Sequence, residues 1–172
     1  MRMNTISVIL GNGCSLLAMV TDSISSTRKT AKGVLLVQSL SQLIYCIGTI
    51  LLKGYSGAVQ NAVSILRNLV AIRKIESKVL EWTLVLLGVV LGLAWNNLGW
   101  IGLLPVAANL EYTLAVFKFK DNERALKISF AICIGLFAVF NLAILNFVGF
   151  CSNMVVMATT LAMIFKKESK AG

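Results

Sequence analysis

Long apolar runs alternate with short polar breaks along this chain. Positions 44–52, 84–110 and 128–164 carry no charged residue at all. A membrane-spanning helix needs about 20 mostly apolar residues, because lipid leaves no partner for an open backbone. Windows of that length predict seven helices, at 5–23, 33–52, 55–72, 79–95, 98–117, 125–145 and 147–165. The breaks at 53–54 and at Asn146 are so short that spans two and three, and spans six and seven, are expected to form tight hairpins. Asn146 and Gly149 interrupt the last apolar run, which argues against reading it as one long helix.

Composition agrees with this pattern. Hydrophobic residues make up 58% of the 172, charged residues 13%, and the mean hydropathy is +0.84. Soluble domains sit nearer 45–50% apolar and about 25% charged. The expected class is an all-α polytopic membrane protein with a single membrane domain.

The net charge of +9 does not point to nucleic acid, since the basic residues form short clusters between apolar runs. Their placement sets an orientation instead. Alternate connections and the C-terminal end carry Arg28, Lys29, Lys32, Arg73, Lys74, Lys78, Lys118, Lys120, Arg124, Lys127, Lys166, Lys167 and Lys170. The opposite set carries Arg2 and Lys53, while Arg67 falls inside a span. The basic side is cytoplasmic by the positive-inside rule. The expected location is therefore the bacterial inner membrane, with the N-terminus outside and the C-terminus in the cytoplasm. A cleaved signal peptide is disfavoured. Thr21-Asp22-Ser23-Ile24 offers no small-x-small site, and Arg28 and Lys29 follow the first span as they would a retained helix.

The chain also repeats itself. An offset of 92 residues sets Gly57 on Gly149, Asn61 on Asn153, Val63 on Val155, Leu69 on Leu161 and Lys74 on Lys166. Spans three and seven carry most of this match. Because one span separates two groups of three, both groups enter the membrane from the same side, and the repeat is parallel. The expected organisation is a first triplet (1–78), a linker helix (79–96), and a second triplet with a short basic tail (97–172). Span four lacks any polar side chain from Leu84 to Ala94, which suits a helix that fills space or faces lipid.

Enzyme chemistry has little to stand on. There is no histidine, and no zinc-protease, nucleophile-elbow or phosphate-loop pattern. Cys14, Cys46, Cys133 and Cys151 lie in apolar stretches without metal-ligand spacing and read as small buried hydrophobes. No metal or cofactor is expected. Polar residues inside spans are costly and usually face the bundle interior or a wet cavity. Asn12, Gln42, Tyr45, Asn61, Ser64 and Asn153 are the candidates for contacting a solute. Interhelical hydrogen bonding is the competing role for such groups. Arg67, Glu111 and Asp22 are candidates for an ion pair or an inner gate.

The plan of three helices, one helix and three helices resembles the SWEET, semiSWEET and PQ-loop superfamily of small transporters. The stretch from Gly54-Tyr55-Ser56-Gly57 through Gln60-Asn61 to Arg67-Asn68, with Gly102-Leu103-Leu104-Pro105 and Glu111-Tyr112-Thr113, is similar to the YgjV-like bacterial inner-membrane family. The SWEET resemblance implies that Asn61 and Asn153 line a central substrate site. It also implies a rocking hinge in the first helix of each triplet, for which Pro105 and its counterpart Gly13 are the candidates. On this basis the expected function is a facilitator or uniporter for a neutral polar metabolite, such as a sugar, nucleoside or vitamin. It would work by alternating access, with solute and membrane lipid as partners and a monomer or homodimer as the working unit. The alternative is a non-transporting receptor, assembly or lipid-handling protein on the same bundle.

Overall fold

The computed structural model describes residues 4–25, 30–73, 75, 77–119 and 123–168. Among these are seven helices and no strand: α1 (Thr5–Ser25), α2 (Ala31–Leu51), α3 (Tyr55–Ile72), α4 (Lys78–Ala94), α5 (Trp100–Lys118), α6 (Glu123–Ala143) and α7 (Phe147–Glu168). The helix over 55–72 falls where the apolar pattern predicts it, and the other bounds move by at most three residues. Arg2, Arg28, Lys29, Lys74, Lys120 and Lys170 of the basic set lie outside the described residues. By length and composition, the stretch Thr5–Ile24 is long and apolar enough to cross a membrane. Leu35–Leu51, Lys127–Ala143 and Phe147–Ala162 are shorter apolar stretches.

Burial is inverted relative to a protein folded in water. Ser15, Ser41, Ser56, Gln60 and Asn146 are all but fully buried, while Leu17, Val79, Leu86, Val90 and Val155 are each more than half exposed. An apolar exterior over an interior that holds polar as well as apolar side chains is the arrangement that hydrocarbon favours, since polar groups turned inward can be matched within the protein. The Ser15 and Ser56 hydroxyls, by contrast, are buried without a hydrogen-bond partner among the described residues.

Neighbouring helices pack in chain order. α1 lies on α2 and α2 on α3, α5 lies on α6 and α6 on α7, and the two sets meet through α3 with α5 and α1 with α7. α4 sits against both α3 and α5. It is thus more than the space-filling linker expected from its composition. Its two buried glycines, Gly88 and Gly92, let its backbone approach the others closely. A Cβ on Gly92 would stand 2.6 Å from both Gln60 Nε2 and Val106 Cγ2.

The two hairpins are built alike. Lys53 and Leu145, 92 positions apart, both hold left-handed backbone, at φ 57° and 60°. The Gly54 N–H donates to the Thr49 carbonyl, and the Asn146 N–H to the Asn141 carbonyl, each at 2.8 Å. The Lys53 and Leu145 N–H groups donate to Ile50 and Leu142 at 2.9 and 3.1 Å. These are the paired bonds of a Schellman helix end, which satisfy carbonyls the helix leaves open. Asn146 then caps α7, its Oδ1 accepting the Gly149 N–H at 3.0 Å.

At this hairpin end the core closes on Leu52, Phe140 and Ile144, with Val8, Leu98 and Leu104 packed around them. Gly57 makes room for Phe140, because a Cβ there would lie 2.5 Å from the ring. The hairpin end carries Lys53 as its described basic residue. The opposite end carries Lys32, Arg73, Lys78, Arg124 and Lys127.

Candidate functional site

A cavity of about 440 Å³ opens among α2, α3, α4 and α5. Its walls include Leu35 and Gln38 from the start of α2, Val70 from the end of α3, Ile75 between α3 and α4, and Glu81 from the first turn of α4. It therefore lies toward the basic end of the bundle. It reaches inward to Gln60, Gly88 and Val106. From Gln60 to Val70 is 10 residues, so the cavity runs on the order of 15 Å along α3 at 1.5 Å per residue.

Two helix faces supply most of its polar groups. On α3, Gln60, Ser64, Arg67 and Asn68 are spaced four, three and one apart and share a stripe with Val63. On α5, Asn109, Tyr112 and Thr113 repeat the spacing next to Val106 and Leu110. At the inner end, Gln60 joins three helices. Its Nε2 donates to the Gly88 carbonyl at 2.8 Å, and its Oε1 accepts from Asn109 Nδ2 at 2.8 Å. Buried amides of this kind hold their helices in register, because an unmatched amide in the interior is expensive.

Of the residues expected to contact solute, Ser64 lines this cavity, and of the gate candidates Arg67 does. Asn61 and Asn153, half-buried on α3 and α7, do not, and neither do Gln42, Tyr45 and Asn12. Asn61 follows Gln60 by one residue and so points about 100° away from it around the helix. Asn12 has a structural engagement. Its Nδ2 donates to the Leu145 carbonyl at 2.8 Å and to the Val8 carbonyl at 2.9 Å, and its Oδ1 accepts the Val148 N–H at 3.0 Å. It thereby fastens the α6–α7 hairpin to α1. Tyr45 lies beside Ser152 of α7 and within electrostatic reach of Asp22, whose carboxylate accepts a hydrogen bond from Ser41. Asp22, Ser41, Tyr45 and Ser152 thus form a separate polar group on α1, α2 and α7.

The expected pairing of Arg67 with Glu111 or Asp22 is formed with neither carboxylate among the described residues. Glu111 accepts from Ser129 Oγ at 2.7 Å through Oε1, and its Oε2 is buried without a hydrogen-bond partner. Cys133 of α6 stands within electrostatic reach of both side chains. Tyr112 and Cys133 stand within electrostatic reach of the Arg67 guanidinium, and Tyr112 in turn packs on Phe130 with ring centroids 5.5 Å apart. Pro105 is buried inside α5 and Gly13 is exposed inside α1, and both helices run on without a break.

Gln60, Asn109, Glu81, Tyr112 and Thr113 escaped the sequence reading as site residues. The signal that finds them is polar spacing at three and four along otherwise apolar helices, not the internal repeat. Among the described residues no cluster of three or more His, Cys, Asp or Glu side chains could hold a metal ion.

No curated protein and no solved structure matches the chain. A family model described as bacterial inner membrane protein matches residues 9–171, nearly the whole length. The chain belongs to the Imp-YgjV family of bacterial inner membrane proteins.

Proposed function

We propose that this protein is a small-solute transporter of the facilitator type, which moves a polar metabolite such as a sugar, nucleoside or vitamin across the inner membrane. All seven helices span the bilayer, with the N-terminus outside and the basic end in the cytoplasm. Helices of 17 to 22 residues support this reading, because they reach about 26–33 Å and the hydrocarbon layer is about 30 Å thick.

The cavity is the observation that carries the proposal. It is of ligand size, it reaches from the basic end deep into the bundle, and beyond it the hairpin end closes on Leu52, Phe140 and Ile144. A site accessible from one side and plugged on the other is one half of an alternating-access cycle. The other half requires two bodies that rock against each other. The matching hairpins, and the α3–α5 and α1–α7 contacts, support a pair of related three-helix bundles as those bodies. Pro105 and Gly13 are the hinge positions in this scheme. Asn61 and Asn153 are the amides that a solute would meet on α3 and α7 as the bundles exchange.

Counterflow in proteoliposomes tests the proposal. Purified protein should exchange labelled solute from a panel of sugars, nucleosides and vitamins, and should lose exchange when Val85→Phe, on the α4 wall, fills the cavity. Solute binding without any exchange would instead favour the receptor, assembly or lipid-handling reading.

A further inference from the structure

Arg67 raises a question that the amides and hydroxyls of the cavity do not. It stands on α3 five residues before the helix ends at Ile72, on the same face as Gln60, Val63 and Ser64. Its side chain opens into the cavity and is not in an ion pair with a described carboxylate. Glu111 is turned to Ser129, and Asp22 belongs to the Ser41 group. Glu81 lies on the α4 wall in the first turn of its helix, where the positive end of the backbone dipole already favours its charge. Arg67 is exposed although it stands within the helix, so the cavity leaves its guanidinium open to an anion entering from the basic end.

We propose that the cavity binds a small organic carboxylate, and that Arg67 is its anchor. This rests on the reading of the cavity as a solute site, and it narrows the solute to a carboxylate-bearing metabolite in place of a sugar or nucleoside. The planar guanidinium presents two parallel N–H donors, the geometry that a carboxylate accepts in both oxygens at once. Ser64, Asn68 and Thr113 line the same cavity and can donate to the remaining lone pairs. Leu84, Val85 and Val89 from α4 and Val106 and Leu110 from α5 give the same cavity an aliphatic side, beside the polar Gln38, Gln60, Asn109 and Tyr112. That aliphatic side accepts the apolar body of a carboxylic acid. Glu81 repels a second negative charge, so a monocarboxylate is favoured over a phosphate dianion.

The test is binding to the purified full chain in nanodiscs of phosphatidylcholine, read by thermal shift and by calorimetry. The probes are hexanoate and benzoate, their uncharged amides, inorganic phosphate and glucose. Hexanoate or benzoate should raise the melting temperature where the matching amide does not. Arg67→Lys should weaken binding about tenfold, since it loses the bidentate fork, and Arg67→Gln should abolish it. Should Arg67→Gln fail to fold, Val85→Phe serves as the second variant, because it fills the cavity and leaves the charge in place. It should weaken carboxylate binding to the same degree as it reduces the free volume. Equal shifts by acid and amide, stronger binding of phosphate or glucose, or carboxylate binding untouched by either variant would overturn the proposal. Uptake into proteoliposomes separates the two readings. Carboxylates that bind without crossing would sink transport and leave the anchor standing. A neutral solute that crosses equally well in Arg67→Gln would do the reverse.

Discussion

Asn109 Nδ2 on α5 donates to Gln60 Oε1 on α3 at 2.8 Å, and the Gln60 amide passes the connection on to the Gly88 carbonyl of α4 at the same distance. One buried side chain therefore sets the spacing of three helices at the inner end of the cavity. Gln60 is 2% exposed, so no water stands ready to replace either partner. Gln60→Leu is expected to destabilise the protein by about 1–3 kcal/mol, the cost of stranding buried amide groups. In a double-mutant cycle with Asn109→Leu the coupling should come to roughly 0.6–1.7 kcal/mol, the range for interhelical bonds in membranes. Reversible denaturation in mixed micelles measures it, and additive effects would mean that the bond contributes nothing.

Gly57 and Phe140 form a second close relationship, at the closed end. A methyl at Gly57 would meet the ring at 2.5 Å, and such overpacking costs about 1–3 kcal/mol. Gly57→Ala should lower the melting temperature, and adding Phe140→Leu should recover part of the loss. A double variant no better than Gly57→Ala alone would place the clash elsewhere.

Asn12 should behave as a fastener. Replacing it with Ala removes three hydrogen bonds to Val8, Leu145 and Val148. The expected cost is about 1–3 kcal/mol, with faster proteolysis or hydrogen exchange at 144–148 than at 52–56. Equal change at both hairpins would show a general loss of stability and not a local release.

Leu145 is a leucine where a helix end usually has glycine, since φ 60° crowds its Cβ against the backbone. Leu145→Gly should stabilise the fold by about 0.5–1 kcal/mol after the entropy that glycine costs is set against the relieved strain. Its 41% exposure means that little packing is lost. Chemical denaturation detects the gain, and a lower midpoint would contradict it.

The proposed orientation is open to a labelling experiment. In a background where Cys14, Cys46, Cys133 and Cys151 are replaced by alanine, Lys53→Cys should react with an impermeant maleimide in intact spheroplasts. Lys78→Cys should react after the membrane is opened. The reverse pattern would invert the protein in the membrane.

Seven helices and two hairpins were readable from residue order because each follows from a local requirement. An apolar run long enough to shield its own backbone becomes a helix, and a two- or three-residue break such as 52–54 or 144–146 leaves the next helix no path except back alongside. The spacing of Lys and Arg was equally legible, since it depends on which connections they occupy and not on how helices touch. Residue order also pointed to Ser64 and Arg67, as polar groups within a helix of a membrane-type sequence.

What the tertiary structure decided was rotation and neighbourhood. The repeat singled out Asn61, but the turn of α3 places Gln60, Ser64 and Arg67 on the cavity and carries Asn61 about 100° around the helix. Composition made α4 a linker, yet Gly88 and Gly92 bring it against Gln60 and Val106 as a wall. Glu111 was one of two carboxylates expected beside Arg67, with Asp22, and accepts from Ser129 instead. A stretch of apolar sequence specifies that a helix forms and roughly where it ends. The face it turns inward, and the side chain that meets each buried polar group, depend on which other helices arrive beside it. That is settled by the packing of all seven together.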